Sequence, residues 1–431
     1  MSSAESDLDH TARSVVDWLN DHKNDLTDLA ISLVKIPSVT GSEGPLAAQL
    51  AKWLGTAGLE PHLECVTNDF RGRYTDFGGE ARLSERPNVY GWLRSKESNG
   101  AKPVVLNGHL DVVPVGDPEG WRFPPFSGTR AEGAIWGRGS ADMKGPIAAG
   151  LMAVRALKEC SASLPFDVQL QLVIGEETGG IGTLYAIETQ PRPQAVIVME
   201  PSQCRVVAAS GGSVQFTVDA RGKAAHGCVP WTGVSALDLL MTCHRRFVAY
   251  ARGRNERLAH SLFGDFEQCA PLSIGTFSAG EWRAMVPERG QFSGRIGVLP
   301  GEDTNDIREG LRQEVAASLA DDRAQSPALS ISWPNPGFPA WETETSSPLI
   351  LAMQEASTAV HETPQVTSVT FGSDAGHFAR QGVPVAIFGP GSIEVAHMVD
   401  EHVSEHSLLR AAKVLALSLL RLNGEQASNI G

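Results

Sequence analysis

The segment Val104-Val105-Leu106-Asn107-Gly108-His109-Leu110-Asp111 joins an apolar run to a histidine and an aspartate. The apolar run is typical of a buried strand, and the polar residues mark the point where that strand stops. At strand spacing, His109 and Asp111 project to the same side of the chain. We therefore expect a buried strand that presents a polar pair at its carboxyl end.

A strand-like, mostly apolar stretch with a polar end recurs twice further along the chain. Residues 168–174 precede Glu176-Glu177, and residues 195–199 precede Glu200. A helix is predicted over residues 146–157, because a proline opens this stretch and Ala, Leu and Met fill it. Strands that alternate with helices form a mostly parallel sheet, and such sheets bind ligands beyond the carboxyl ends of their strands. The three polar ends are therefore expected at one edge of one sheet.

Two further segments carry side chains of the same chemical type. Asp142 lies in Gly-Arg-Gly-Ser-Ala-Asp-Met-Lys-Gly, just before the predicted helix, and His397 lies in Val-Ala-His-Met-Val-Asp-Glu. The chain thus offers neutral imidazoles, a carboxylate with two oxygens for two metals, and a spare glutamate to move a proton. This set of side chains is typical of a two-zinc hydrolase.

The spacing within each polar pair suggests separate roles for its members. A zinc-bound histidine usually donates its second ring N–H to a carboxylate, so we assign His109 as a metal ligand and Asp111 as its orienting partner. Adjacent residues point in different directions, so Glu177 can bind a metal while Glu176 serves as the general base.

Each of these residues also fits a plainer role when it is taken alone. Asp142 could cap the helix that follows it, and the Glu176-Glu177 pair could be solvated in a loop. Glu200 could be an exposed charge at a strand end, and His397 a surface histidine. The shared site is favoured because several of these residues follow strands of one predicted sheet.

The composition limits the classes of partner. The chain has 431 residues, a formal net charge of −14, 42% apolar and 20% charged residues, a globular profile. An acidic surface repels phosphate backbones, so nucleic acid is not expected as a partner. The first ten residues do not resemble a signal peptide, and no apolar run has the length of a membrane span. The six cysteines form no C-x-x-C pair, so reduced thiols and a cytoplasmic protein without a membrane partner are expected.

The pattern changes near residue 211. Val214, Phe216 and Val218 alternate with polar residues, as in a half-exposed strand. Further strands are predicted over residues 272–277, 291–299 and 329–333, and helices over 235–251 and 303–319. Prolines at 334, 336 and 339 mark the end of this unit. We therefore expect an α/β domain built from residues 1–210 and 335–431, interrupted by a small α+β domain over residues 211–334.

In combination, these motifs resemble the M20 family of metallopeptidases. The segments that carry the resemblance are Gly-His-Leu-Asp-Val-Val-Pro from Gly108, Trp-Arg-Phe-Pro-Pro-Phe from Trp121, the Asp142 and His397 segments, Gly-Glu-Glu-Thr-Gly-Gly from Gly175, and Met-Glu-Pro-Ser from Met199. The resemblance implies a zinc-exopeptidase-like catalytic domain with a mostly parallel sheet. It also implies that the α+β insert is a lid that makes the contact of a homodimer.

The resemblance also implies site residues. One zinc would be held by His109, Asp142 and Glu200, and the other by Asp142, Glu177 and His397, with Asp142 as the bridge and Glu176 as the general acid/base. In the lid, Arg221-Gly-Lys-Ala-Ala-His226-Gly resembles the segment whose histidine reaches the partner's active site and stabilises the oxyanion. Arg295 resembles a lid arginine that recognises a substrate carboxylate, and Gly372 and Ser373 resemble a loop that lines the substrate pocket.

The expected function is a dinuclear zinc amidohydrolase that acts on a small N-acyl amino acid or a related N-acyl amine, as a deacetylase or desuccinylase does. A metallo-carboxypeptidase or dipeptidase is the alternative within the family, and a non-catalytic metal-binding regulatory protein is the alternative of another class. Ala284 stands where many relatives have Asn, which leaves other N-acyl amines, including formylated ones, open as substrates. Carboxylate-rich sites also accept Co²⁺ or Mn²⁺ in place of Zn²⁺.

Overall fold

The computed structural model describes residues 3–73, 83–258, 261–264, 266–319, 328–360 and 363–422. The helices are α1 (Ser3–Asp21), α2 (Lys23–Val34), α3 (Gly44–Thr56), α4 (Asn68–Gly72), α5 (Gly145–Glu159), α6 (Ile181–Thr189), α7 (Ala236–Asn255), α8 (Thr304–Leu319), α9 (Pro348–Ala359), α10 (Ala375–Ala379) and α11 (Glu405–Arg421). Within the described residues, none of the helices has both the length and the apolar character that a membrane crossing requires.

The strands form three sheets. They are β1 (His62–Cys65), β2 (Pro87–Leu93), β3 (Val104–His109), β4 (Thr129–Ala131), β5 (Ala134–Trp136), β6 (Val168–Val173), β7 (Ala195–Val198), β8 (Val206–Ser210), β9 (Gly212–Arg221), β10 (Leu272–Ala279), β11 (Arg289–Val298), β12 (Ala328–Ser332), β13 (Trp341–Glu342), β14 (Val366–Val369), β15 (Val385–Ile387) and β16 (His402–Ser404).

The largest sheet has the strand order β1-β2-β6-β3-β7-β15-β8-β13, with β14 beside β8. Its centre, from β6 through β3 and β7 to β15, is parallel, whereas the pairs at both ends of this order are antiparallel. This arrangement confirms the expected α/β fold with a mostly parallel core. The parallel strands are buried on both faces, which is typical of a parallel sheet covered on both sides, and the buried residues of β6 include Gln169 and Gln171.

Alternate residues of the central strands belong to two different apolar cores. Val104 and Leu106 of β3 pack in the core that contains α1, α2, α3, α5, α9 and α11. Val105 packs on the opposite face, where Phe378 of α10 lies. Because successive side chains of a strand point to opposite faces, helices cover both sides of this sheet.

A second sheet lies between residues 212 and 332, in the order β10-β11-β9-β12. Helix α7 packs against β9 and β11, and α8 packs against β9 and β12; Phe216, Phe247 and Phe292 are buried between these layers. The side chains of β9 alternate between buried and half-buried, as the sequence pattern predicts. A small third sheet, in the order β16-β5-β4, joins the chain just after His397 to the chain just before Asp142.

The N-terminal helical region is divided at His22. Apolar spacing from residue 7 to residue 33 predicts one helix, but the chain forms α1 and α2, and His22 between them has φ −103° and ψ 21°. The ring of His22 stacks on Trp18 at 3.8 Å between centroids, and its Nδ1 lies 2.8 Å from the Trp18 carbonyl oxygen. Apolar periodicity does not report such a local contact.

Candidate metal centre

Three adjacent strands bring the predicted ligands together. Strand β3 lies between β6 and β7 and runs parallel to both, so that His109 pairs with Val173 and Asn107 pairs with Val198. The ends of the three strands therefore lie side by side. His109 is the last residue of β3, while Glu176 and Glu200 follow the ends of β6 and β7.

The ligand atoms lie within coordinating distance of one another. His109 Nε2 is 2.9 Å from Asp142 Oδ1 and 3.8 Å from Glu200 Oε1. His397 Nε2 is 3.1 Å from Glu177 Oε1 and 3.3 Å from Asp142 Oδ2. Donor atoms bound to one tetrahedral zinc lie roughly 3.3 Å apart, so each group of separations suits a shared metal.

Asp142 lies between the two histidines. Its Oδ1 faces His109 and its Oδ2 faces His397, so the two carboxylate oxygens address different imidazoles. The side chain is 6% exposed, and the peptide bond that follows it is cis. This is the placement that a carboxylate shared by two metals requires.

Glu176 also lies close enough to bind a metal. One ligand atom each of His109, Glu176 and Glu200 can be chosen so that all three lie within 4.8 Å of one another, and the same holds for His109, Asp142 and Glu177. Geometry alone therefore leaves Glu176 as either a ligand or a proton carrier. His397 contacts Glu177, the second residue of the pair.

Asp111 holds the Glu176-Glu177 turn. Its carboxylate accepts hydrogen bonds from the amides of Glu176 and Glu177, each at 3.1 Å, and from the Thr40 hydroxyl at 3.0 Å. The predicted partner of His109 Nδ1 is this carboxylate, but the nearer atom is the main-chain oxygen of Asp111, at 2.8 Å against 3.8 Å. Asp111 therefore contacts His109 mainly through its backbone, and its side chain fixes the two glutamates.

The site strongly favours positive charge. Burial raises the pKa values of Glu176, Glu177 and Glu200, and the neighbouring carboxylates add to this effect. Burial opposes protonation of His397, but its hydrogen bonds to Asp142 and Glu177 raise its pKa to about 10. Burial likewise opposes protonation of His109, yet the bond to Asp142 and the charge of Glu200 raise its pKa well above the ordinary value.

The donor set fits divalent cations. Burial raises the pKa of Asp142, but the hydrogen bonds from His109 and His397 outweigh burial and hold that pKa below its ordinary value. A metal ion competes with protons for the same nitrogen and oxygen atoms, so a site that attracts protons this strongly also attracts cations. Imidazole and carboxylate donors without a thiolate suit zinc, cobalt or manganese.

His226 lies in an exposed loop and is not part of either group of candidate ligand atoms. The Cys228 amide donates to His226 Nδ1 at 3.1 Å. In the neutral ring, Nδ1 is then the acceptor and the proton resides on Nε2. The neutral His226 ring therefore offers an Nε2–H donor.

The predicted substrate residues meet at the loop before α10. Arg295 of β11 donates to the Thr370 carbonyl oxygen at 3.2 Å, two residues before Gly372. A side chain at Gly372 would lie 2.5 Å from Phe338 Cβ, so the backbone approaches closely there. Ser373 is buried, and its hydroxyl has no partner among the described residues.

Sequence reasoning missed a buried polar network behind the Glu176 turn. The Asn107 amide donates to the Thr183 hydroxyl at 3.1 Å, and that hydroxyl donates to Asp374 Oδ2 at 2.7 Å. His377 Nε2 lies 3.0 Å from the Gly179 carbonyl oxygen. The only signal in the sequence is that Asn107 sits inside an apolar strand.

The match to a family model follows the same segments. The model of peptidase family M20/M25/M40 matches residues 105–421, which contain every candidate ligand. This chain belongs to that family. The assignment confirms the resemblance predicted from the motifs. Proteins of this family are metal-dependent hydrolases of amide and peptide C–N bonds, so the activity class expected from the sequence is confirmed.

Individual relatives are distant. The chain is 28% identical to an N-formyl-4-amino-5-aminomethyl-2-methylpyrimidine deformylase of Halalkalibacterium halodurans, over 76% of this chain and 81% of that protein. It is 29% identical to a probable succinyl-diaminopimelate desuccinylase of Staphylococcus epidermidis, over 74% and 82% of the two chains. The dipeptidase Dug1p of Saccharomyces cerevisiae shares the fold, with a TM-score of 0.79, 16% identity, and coverage of 96% of this chain and 99% of that one.

Proposed function

We propose that this M20 hydrolase is a dinuclear zinc amidohydrolase that removes the acyl group from a small N-acyl amine or N-acyl amino acid. The observation that carries the proposal is Asp142, whose two oxygens face two histidines that come from different parts of the chain. In this assignment one zinc is held by His109, Asp142 and Glu200, and the other by Asp142, Glu177 and His397. Cobalt or manganese would suit the same donors.

Glu176 is the proposed proton carrier. When bound, the two zinc ions would activate a water molecule and polarise the substrate carbonyl. Glu176 accepts a proton from the water as its oxygen attacks the carbonyl carbon, and returns that proton to the nitrogen as the C–N bond breaks. The products are a carboxylate and an amine. The raised pKa of Glu176, caused mainly by burial, suits a group that both takes and gives a proton.

The remaining site residues would contact the substrate or position the two glutamates. His226 of one subunit would donate its Nε2–H to the oxyanion in the other subunit's site. Arg295 and the Gly372-Ser373 backbone would contact the polar end of the substrate, since a planar guanidinium suits a carboxylate. Asp111 would hold both glutamates in position through their amides.

Both relatives reported above support the removal of an acyl group as the reaction. A deformylase and a desuccinylase each remove an acyl group from a nitrogen, although their amines differ. Ala284 cannot make the polar contact that Asn makes in many relatives, so we expect the amine part of the substrate to be recognised by other groups. Arg283, which precedes it, is the nearest candidate.

The proposed assembly is a homodimer formed through a lid over residues 211–334, with residues 1–210 and 335–431 as the catalytic domain. The edge strand β10 is largely exposed, and α7 exposes Met241 and Val248 on one stripe. All six cysteines lie within the described residues and none forms a disulfide there, and reduced thiols are the usual state in the cytoplasm, so we propose a cytoplasmic location.

The test is amine release by zinc-loaded protein from N-formyl, N-acetyl and N-succinyl amines and amino acids, with dipeptides and C-terminal glutamyl peptides beside them. Glu176→Gln should lower kcat by about 10²- to 10⁴-fold and keep both metals. Glu394→Gln, at an exposed position near His397, is the matched control and should behave as the parent does. If the protein hydrolyses only the peptides, its function is that of a peptidase and not of an acylase. Near-parental activity of Glu176→Gln would refute the proton-carrier role.

A further inference from the structure

A buried ion pair lies beside the candidate metal centre. Arg138 Nη1 is 2.7 Å from Glu401 Oε2, and the two side chains are 2% and 0% exposed. Burying two charges costs several kcal/mol unless further hydrogen bonds satisfy both groups. The other hydrogen bonds of Arg138 and Glu401 therefore indicate which segments this ion pair holds in place.

Glu401 binds the backbone of the bridging aspartate. Its Oε1 accepts hydrogen bonds from the amides of Ala141, at 2.9 Å, and Asp142, at 3.0 Å. The main-chain oxygen of Glu401 also accepts from the Gly137 amide at 2.8 Å. One residue, four positions after His397, thus fixes the segment that carries Asp142.

Arg138 binds the His397 loop in return. The same Nη1 that contacts Glu401 donates to the Met398 carbonyl oxygen at 3.1 Å. His397 itself has a φ of 62°, in the left-handed region, where a residue other than glycine pays about 1–2 kcal/mol. Its side chain is 49% exposed, so packing contributes little to its position. The hydrogen bonds that Met398 and Glu401 accept from Arg138 and from the backbone of the Asp142 segment therefore hold this loop.

The other candidate ligands have a different support. His109 is the last residue of β3, and Glu200 follows β7, both at the centre of the largest sheet. Their backbones are held by strand pairing and by two apolar cores. The Arg138–Glu401 pair makes no hydrogen bond to either of them among the described residues.

We propose that Arg138 and Glu401 are positioning residues that fix His397 against Asp142, so that the metal shared by Asp142, Glu177 and His397 depends on this pair more than the metal of His109, Asp142 and Glu200. This inference rests on the dinuclear site of the proposed function. The residues around the two metal positions of that site thus hold them in place to unequal degrees.

The test is a zinc titration of metal-free protein against a chromophoric chelator, which reports both stoichiometry and affinity without activity. Glu401→Gln should keep one tight metal and weaken the second by about 10- to 100-fold. Arg138→Lys keeps the charge but not the forked donor geometry, so a smaller weakening of the same metal is expected.

Glu302→Gln is the matched control. Glu302 pairs with the largely buried Arg254 in the second sheet's unit and also accepts a hydrogen bond from a backbone amide, that of Leu299, at 2.7 Å. The Glu302→Gln protein should bind two metals as the parent does, even if its melting temperature falls. This control separates general destabilisation from a specific effect at the metal centre.

Each result is decisive. The inference is wrong if folded Glu401→Gln binds both metals with parental affinity, or if its affinity for both metals falls equally. If that variant does not fold, Arg138→Lys decides by the same criterion. If the parent itself binds fewer than two metals, the dinuclear site of the proposed function fails and this inference fails with it.

Discussion

At the scale of single residues, the Asp111 side chain is placed to set the geometry of both glutamates. Its two oxygens accept the amides of Glu176 and Glu177 and the Thr40 hydroxyl. Asp111→Asn keeps one acceptor oxygen but turns an NH₂ group toward an amide N–H. We expect kcat to fall by about 10- to 100-fold, since groups that orient ligands have effects of this size.

The matched control for this variant is Asp117→Asn. Asp117 also accepts a backbone amide, that of Glu119 at 3.0 Å, but it lies in an exposed turn away from the candidate ligands. Steady-state kinetics and zinc content of both variants would be measured together. Parental kinetics in Asp111→Asn would show that the turn holds the glutamates without this carboxylate.

Asp374 gives a second prediction at this scale, on the dependence of stability on pH. Burial raises the pKa of Asp374 to about 7, although the Thr183 hydroxyl donates to it. An unfolded aspartate has a pKa of about 3.9. The folded state therefore binds the proton more tightly, and this residue destabilises the fold progressively as the pH rises from about 4 to about 7.

Asp374→Asn cannot ionise and can still accept the Thr183 bond. The melting temperature of this variant, minus that of the parent, should therefore increase with pH from about 4 to about 7 and then level off. Both proteins would be compared by thermal unfolding in metal-free buffer, so that pH effects on metal binding cancel. A difference that does not change with pH would mean that Asp374 ionises as freely in the folded protein as in the unfolded chain.

At the scale of elements, the turn from β6 to α6 depends on a glycine. Gly180 has a φ of 84°, and a Cβ there would lie 2.3 Å from Asp374 Oδ1 and 2.8 Å from His377 Nε2. Gly180→Ala should therefore displace either α10 or the turn that carries Glu176 and Glu177. We expect a large fall in both melting temperature and kcat.

Gly116→Ala separates the steric clash from the backbone strain. Gly116 has a φ of 70°, but a Cβ at this position would meet nothing within 4 Å. It should cost only the strain of a left-handed alanine, about 1–2 kcal/mol. Equal losses of stability in the two variants would contradict the clash at Gly180.

Elements differ in how far the sequence predicts them. The strands β3, β6 and β7 are mostly apolar stretches with polar residues after them, and the predicted carboxyl ends of β6 and β7 agree with the structure to one residue, whereas β3 continues past its apolar run to His109. Strands β4, β5, β13 and β16 have only two or three residues, too few for an alternating pattern. Helix α6 was also missed, because it begins after two glycines and has no clear amphipathic spacing.

The candidate site divides in the same way. Residues that follow strands could be predicted, because parallel strands deliver their ends to one edge. The Thr183–Asp374 bond spans 191 positions and the Arg138–Glu401 pair spans 263. No spacing rule connects residues so far apart, even though Arg138 and Glu401 both lie within quoted motifs. Contacts that hold the ligands are therefore visible only in the folded chain.

At the scale of the whole molecule, the largest sheet with its candidate ligands and the second sheet's unit raise different questions. The candidate ligands lie at the strand ends of the largest sheet or in segments beside the third sheet, whereas His226 lies in the second sheet's unit and is exposed. Trp231 and Trp282, 78% and 63% exposed, lie in the two loops that the His226–Met285 bridge joins. Exposed aromatic side chains beside a free imidazole donor suit a surface that is covered in the assembled protein.

Subunit complementation tests whether His226 acts across the proposed homodimer. Each subunit would supply its own Glu176 and lend His226 to its partner. A heterodimer of Glu176→Gln and His226→Ala subunits, purified through two different tags, then has one complete site and should recover about half of the parental activity. The two homodimers should both be nearly inactive.

A heterodimer of Glu176→Gln with His397→Ala is the control, since both residues belong to the same subunit's site and no combination restores a complete site. Recovery in the first pair alone would establish that the active site is shared. If His226 served its own subunit, the first pair would stay as inactive as the control, and the exposed loop would need another role.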